Sequence, residues 1–117
     1  MRVKDMIGAY GERIAAQHLE RAGYVVVERN WRCEIGEIDI VALDGETVVV
    51  CEVKTRSGLG YGSGLEAVTR DKAARLHRLA RRWLTARGRT GAAVRVDVVA
   101  VHRTRPEPQV EHVRGVP

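Results

Sequence analysis

The chain has 117 residues, which is room for one domain and no second core. Hydrophobic residues make up 44%, which excludes disorder throughout, and 20 Lys and Arg against 15 Asp and Glu leave a net charge of +5. The two cysteines, Cys33 and Cys51, have no Cys-x-x-Cys spacing, so zinc ribbons and disulfide scaffolds are excluded. No apolar run approaches the roughly 18 residues of a membrane span. Met1-Arg2-Val3-Lys4-Asp5 lacks the apolar stretch of a signal peptide, so no membrane partner and a cytoplasmic location are expected. Three Tyr, two Trp and no Phe argue against a broad base-stacking platform for single-stranded nucleic acid. A pI near 9.8 favours a polyanionic partner.

The elements follow in chain order. Asp5 to Ala22 reads as a helix, with Asp5 as N-cap and Gly23 just past its end. Steps of about 100° per residue put Ile7, Ile14, Ala15, Leu19 and Ala22 on one face. Gly8 and Gly11 share that arc and would admit a close neighbour. Glu12 at its edge is an anomaly for an apolar face. Tyr24 to Arg29, Gly36 to Leu43 and Thr47 to Thr55 read as strands, with β-branched Val runs in the first and third. Asp44-Gly45 signals a hairpin between the last two. Ser57 to Gly64 holds four glycines and reads as a flexible loop; no Gly-Lys-Ser/Thr follows, so it is no phosphate-cradling loop. Arg70 to Ala86 is a second helix, with Thr69 as N-cap and Gly88 past its end. Its apolar face is Ala73, Leu76, Leu79, Ala80, Trp83 and Leu84, and Lys72 points toward that side. Arg75, Arg78, Arg81 and Arg82 lie opposite. Ala93 to Val101 is a fourth strand, and Val110 to Val113 is long enough only for a short edge strand. The order αβββαβ implies an α/β domain with a mixed β-sheet flanked by two helices.

Charges inside the strands carry the functional signal. Glu37 and Asp39 alternate in the second strand; Glu52 and Lys54 alternate in the third. A two-residue loop at Asp44-Gly45 pairs residues whose numbers sum to 89 and sets Glu37 against Glu52. A four-residue loop makes the sum 91 and sets Asp39 against Glu52. Either register puts Asp39, Glu52 and Lys54 on one face. Two carboxylates about 4 Å apart repel by roughly 4 kcal/mol at an effective dielectric near 20. A raised pKa, a lysine or a cation must offset that repulsion. All-oxygen ligands favour Mg²⁺ or Mn²⁺ over zinc. With Lys54 beside Glu52, the set suits phosphodiester hydrolysis. Asp39 and Glu52 are then the metal-ligand candidates, with the Val53 carbonyl a candidate third ligand. The bland alternative is an ion cluster on a solvated sheet face. Asp97 reads as a partner of Arg95. His18, His77, His102 and His112 share no ligand spacing.

Asp39, Glu52 and Lys54, with thirteen positions from the first to the second, resemble the Asp…(Asp/Glu)-x-Lys signature of the restriction-endonuclease-like superfamily. Gly11-Glu12, Gly23-Tyr24, Arg29-Asn30-Trp31-Arg32, Gly36-Glu37-Ile38-Asp39, Cys51-Glu52-Val53-Lys54-Thr55-Arg56 and Arg95-Val96-Asp97-Val98-Val99 resemble the YraN-like family of predicted endonucleases. The resemblance covers roughly residues 6 to 101 and departs at Ile38, where the signature has Pro. It implies a restriction-endonuclease-like αβββαβ core over residues 1–102, with residues 103–117 as a tail. It implies a Mg²⁺- or Mn²⁺-dependent nuclease acting on DNA. Archaeal Holliday-junction resolvases share this core and an acidic residue in the first helix. By that likeness Glu12 joins Asp39 and Glu52 at the metal. Arg56, Lys72, Arg75, Arg78 and Arg82 would hold the nucleic-acid backbone. Branched or junction DNA is the expected substrate, because the chain lacks the large insertions that read sequence. A homodimer would suit a junction. The rival readings are an idle nucleic-acid-binding module and a protein-interaction adaptor.

Overall fold

The computed structural model describes residues 2–57 and 69–117. The glycine-rich loop expected at Ser57 to Gly64 lies, beyond Ser57, outside the described residues. The elements are α1 (Val3–Arg21), β1 (Val25–Cys33), β2 (Gly36–Asp44), β3 (Thr47–Arg56), α2 (Arg70–Ala86), β4 (Val94–His102) and β5 (Gln109–Val113). They build one five-stranded sheet in the order β1-β2-β3-β4-β5. Only β3 and β4 run parallel; the other neighbours are antiparallel, so the sheet is mixed as expected. A parallel pair needs a crossover, and α2 lies in the segment joining β3 to β4.

Each face of the sheet is covered by one helix. On one side Val48, Val50, Val96 and Val98 pack with Leu76, Leu79, Ala80 and Trp83 of α2. On the other, Ile40, Ala42, Val49, Cys51 and Val99 pack with Ala15, Ala16 and Leu19 of α1. Burying one such side chain stabilises the fold by about 1.5–3 kcal/mol, so the alternating valines of β3 and β4 are what hold both helices on the sheet. α2 begins as the sequence predicts: the Thr69 side chain accepts from Lys72 N–H at 3.1 Å. Gly88 follows its end at φ +66°.

Three local expectations are corrected. α1 starts at Val3, and its N-cap is Arg2, not Asp5. Asp5 sits in the first turn, where its charge suits the helix dipole, and it pairs with Arg2 at 3.6 Å. Ala22 is exposed, because α1 ends one residue earlier. The β2–β3 turn is Gly45-Glu46 between paired Asp44 and Thr47, giving the register sum of 91 with a two-residue loop. Gly45 carries φ +61° at the first turn position, where a type II′ hairpin requires glycine.

Gly11 is where α1 meets the sheet. A Cβ built there would overlap the Thr55 hydroxyl of β3, whereas one on Gly8 would meet nothing within 4 Å. Gly11→Ala therefore should cost about 1–3 kcal/mol by overpacking. Adding Thr55→Ala should recover more than half of that loss in urea unfolding. Independent, additive losses would show that the helix is not seated on Thr55.

Candidate metal-dependent active site

The site forms where the sheet splits. β2 pairs with β3 only as far as Ile40↔Cys51. Beyond that point β2 continues along β1 to Gly36, and β3 continues along β4 to Arg56. The next β3 backbone donor, Val53 N–H, bonds the Asp39 carboxylate at 2.8 Å instead of a β2 carbonyl. The side chain of Asp39 thus ends the ladder and stands in the fork.

Asn30 marks where the paired strands β1 and β2 change phase. Glu28 and Trp31, three residues apart on β1, both reach the α2 side: Glu28 accepts from Trp83 Nε1 at 2.9 Å, and Trp31 packs in that core. Their partners on β2, Val41 and Ile38, do the same. Strict alternation would send residues three apart to opposite sides. The strands change phase between these pairs, where Asn30 adopts φ +54°. Asparagine tolerates this left-handed conformation better than most residues. The change carries Glu37 and Asp39 to the α1 side, where Glu12 waits one residue after Gly11.

There Glu12, Glu37 and Asp39 each offer a carboxylate oxygen, all within 4.8 Å of one another. The Asn30 amide, with its NH₂ toward the acids, donates to Glu12 at 3.1 and 3.2 Å and to Glu37 at 3.1 Å. Arg32 Nε donates to the other Glu37 oxygen at 2.7 Å. Burial is the largest influence on Asp39 and lifts its carboxyl to about 7; the Val53 N–H opposes it, and Glu52, Glu12 and Glu37 add to it. Burial also raises Glu12, against the Asn30 hydrogen bond. A hard cation of the Mg²⁺ size binds oxygens at about 2.1 Å, which places neighbouring ligand atoms roughly 3–4 Å apart. Three clustered carboxylates, one of them strongly reluctant to ionise, fit such an ion.

Glu52 and Lys54 keep the parity of Val48 and Val50 and lie on the α2 side. The expectation that Asp39, Glu52 and Lys54 share one face is therefore corrected: the phase change at Asn30 turns Asp39 to the other side. They border the same fork nonetheless, and Glu52 is the foremost of the charges that raise Asp39. One Glu52 oxygen is held by Lys54 Nζ at 3.2 Å and by Lys72 Nζ at 3.1 Å. Burial works against both ammonium groups. Lys54 is nevertheless raised, through its contact with Lys72 and its pairing with Glu52, whereas Lys72 is lowered, burial and Lys54 together outweighing Glu52.

Of the sequence-predicted residues, Glu12, Asp39, Glu52, Lys54 and Lys72 come together. Lys72, expected only among the backbone-holding cations, is part of the central cluster. Arg56 is exposed at the end of β3, and Arg75 and Arg78 are exposed on α2. Arg82 pairs with Glu34 in the β1–β2 turn. The role of Asn30 was missed: it entered only within the Arg29-Asn30-Trp31-Arg32 resemblance, and its local signal was an asparagine, a residue depleted in strands, next to a strand-like run. Asn30→Gly keeps the left-handed conformation, so Asn30→Val should unfold about 2 kcal/mol more easily than Asn30→Gly. Equal stabilities in urea would remove the phase-change argument.

A second polar cluster lies on the α1 side and was invisible in the histidine spacing. Asp97, 0% exposed, accepts from Arg95 Nε at 2.9 Å, His112 Nε2 at 2.8 Å, Tyr24 OH at 3.3 Å and Gly115 N–H at 3.1 Å. His18 and His112 bond each other at 3.1 Å. The expected Arg95–Asp97 pair is present. Despite burial, these donors hold Asp97 near 2. No buried side-chain nitrogen or oxygen lacks a hydrogen bond among the described residues.

No helix among the described residues is long and apolar enough to cross a membrane. Among solved structures, the chain is similar to the Archaeoglobus fulgidus Holliday junction resolvase Hjc, with a TM-score of 0.49, 24% identity, and coverage of 88% of this chain and 72% of that one. A UPF0102 protein of Beutenbergia cavernae is 62% identical over 117 residues, 99% of each chain. One from Nocardioides sp. is 55% identical over 115 residues, 97% of this chain and 93% of that one. The profile of the uncharacterised protein family UPF0102 matches residues 11–101. The chain therefore belongs to family UPF0102, the YraN-like family whose motifs its sequence resembles.

Proposed function

We propose that the chain is a Mg²⁺- or Mn²⁺-dependent nuclease that hydrolyses phosphodiester bonds of DNA, preferring branched or junction DNA. The observation that carries this reading is the fork in the sheet. It gathers Glu12, Glu37 and Asp39 on one side of a backbone gap and Glu52, Lys54 and Lys72 on the other. An ion cluster serving stability alone would neutralise its charges; here the α1 side holds three acids against one paired cation, Arg32 on Glu37, with neutral Asn30 between Glu12 and Glu37. Asp39 and Glu12, with Glu37 and Glu52 beside them, would hold the cation. When bound, the ion supplies Lewis-acid polarisation of a phosphate oxygen. Lys54 would donate to the phosphate as negative charge grows on it. Lys72 would share Glu52 with Lys54 and so keep that ammonium in place. Arg56, Arg75 and Arg78 would hold the backbone on either side; Arg82 would first have to leave Glu34. A cytoplasmic site of action and a homodimer that presents two forks to a junction accord with this reading.

The test incubates purified protein with linear, flapped and four-way-junction DNA in Mg²⁺, Mn²⁺ or EDTA. Cleavage that EDTA and Lys54→Ala both abolish is the expected result. Salt-sensitive binding by wild type and variant alike, with no product in any metal, would instead identify an idle binding module.

A further inference from the structure

The N-terminal turns of α1 carry an apolar stripe of which Tyr10 packs against the core and Val3 and Met6 stand in the open. Val3, Met6, Ile7 and Tyr10 follow the spacing of one helix face, yet Val3 is 71% and Met6 55% exposed. They line a groove of about 520 Å³ whose opposite wall is the turn after β4, including Arg103, Arg105 and Pro106. Among the groove's lining residues the charged ones are these two arginines. The guanidinium of Arg13 lies over the Tyr10 ring, 5.5 Å from its centre.

The groove joins the fork through two short paths. Arg103 N–H donates to the Arg56 carbonyl at 2.8 Å. Arg56 is two residues beyond Lys54, about 7 Å along the strand. On α1, Ile7 lies one turn before Gly11, about 6 Å along the axis, and Gly11 sits on Thr55. The legs along β3 and along α1 each span about two nucleotides of a stacked strand, at roughly 3.4 Å each. An apolar slot with one aromatic wall and two guanidinium groups complements a flat base joined to a phosphate.

We propose that this groove binds an unpaired nucleobase of the DNA strand that enters the fork, with Arg103 and Arg105 on its phosphates. With Tyr10 as its one aromatic wall the slot is no stacking platform, in keeping with a chain poor in aromatics. The inference deepens the nuclease reading, on which its choice of ligand rests, by supplying a reason for preferring branched DNA: a branch offers unpaired bases, and a continuous duplex does not.

The test measures DNA affinity of the full chain by fluorescence anisotropy in EDTA, so cleavage plays no part. The probes are a duplex with a short unpaired arm, the same duplex with abasic sites throughout the arm, and a fully paired duplex. The base-bearing arm should bind about tenfold tighter than the abasic arm. Met6→Gln, which removes apolar surface without adding charge, should erase that difference and leave affinity for the paired duplex unchanged. Val3→Gln, at a second exposed position, should do the same, with circular-dichroism melts confirming that both variants fold. Equal affinity for the two arms, or a base preference that survives both variants, would overturn the proposal. Displacement of neither DNA arm by free nucleotides, but of both by an acidic amphipathic peptide, would assign the groove to a protein partner and overturn it equally. A base preference retained by a protein that cuts nothing in Mg²⁺ or Mn²⁺ would sink the nuclease reading alone.

Discussion

Asp39→Asn should reduce cleavage at least about 100-fold, beyond the range of a merely supporting residue, and yet stabilise the metal-free protein at pH 8. The two effects share one cause. The Asp39 carboxyl titrates near 7 in the fold against 3.8 ordinarily, so the folded state retains its proton where the unfolded chain releases it. Its contribution to stability is full below the unfolded value and is lost as pH rises through the folded one. The ceiling on that loss is about 4 kcal/mol, and partial exposure to solvent lowers it. Asparagine carries no charge and can still accept from Val53 N–H. Urea unfolding in EDTA should therefore show wild type weakening between pH 5 and pH 8 while the variant does not. Saturating Mn²⁺ should then stabilise wild type at pH 8 and leave the variant nearly unchanged, since a cation needs the ionised acid. Parallel pH curves for the two proteins would show that burial does not govern Asp39.

Asp97→Ala should cost about 3–5 kcal/mol, because Tyr24 OH, His112 and Gly115 N–H lose their shared buried acceptor and Arg95 is left with Asp44 alone as carboxylate partner, 2.9 Å away. That approaches the whole stability of a small domain, so the variant should be largely unfolded at moderate temperature. Here the sign is opposite to that of Asp39. The folded carboxyl lies near 2, below its ordinary 3.8. Its stabilisation is present above the ordinary value and disappears as pH falls through the folded one, amounting to about 2 kcal/mol. Urea midpoints of wild type should drop between pH 5 and pH 2.5 by more than those of Asp97→Asn. Equal drops would mean that other carboxylates control acid unfolding.

How far the fold could be read ahead depended on the range of the forces concerned. α2 was readable from Thr69 to Gly88 because its cap, apolar spacing and stop are all local. The valine runs of β3 and β4 were readable because strand preference and two-sided burial act residue by residue. The start of α1 was misread because Asp5 looks like a cap, while the chain already turns helical at Val3. The β2–β3 register was one of two open choices, and the positive φ of Gly45 selected it.

The site divides along the same line. The residue types were evident: Asp39, Glu52 and Lys54 stand out because charges inside apolar strands are costly unless something uses them. Their arrangement was not. Alternation assumes unbroken pleating, and it fails across the β1–β2 pair: β1 turns to positive φ at Asn30, and opposite it β2 sends Ile38 and Ile40 to opposite faces, with Glu37 and Asp39 toward Glu12. Lys72 reaches Glu52 only because α2 docks on the face that carries it, and His18 meets His112 across 94 residues. Sequence alone determined the element order and the chemical inventory, since both follow from short-range periodicity and from the cost of burying charge. Only the tertiary structure decided which acids face one another, because that depends on a phase change shared by two paired strands and on contacts between segments distant in the chain.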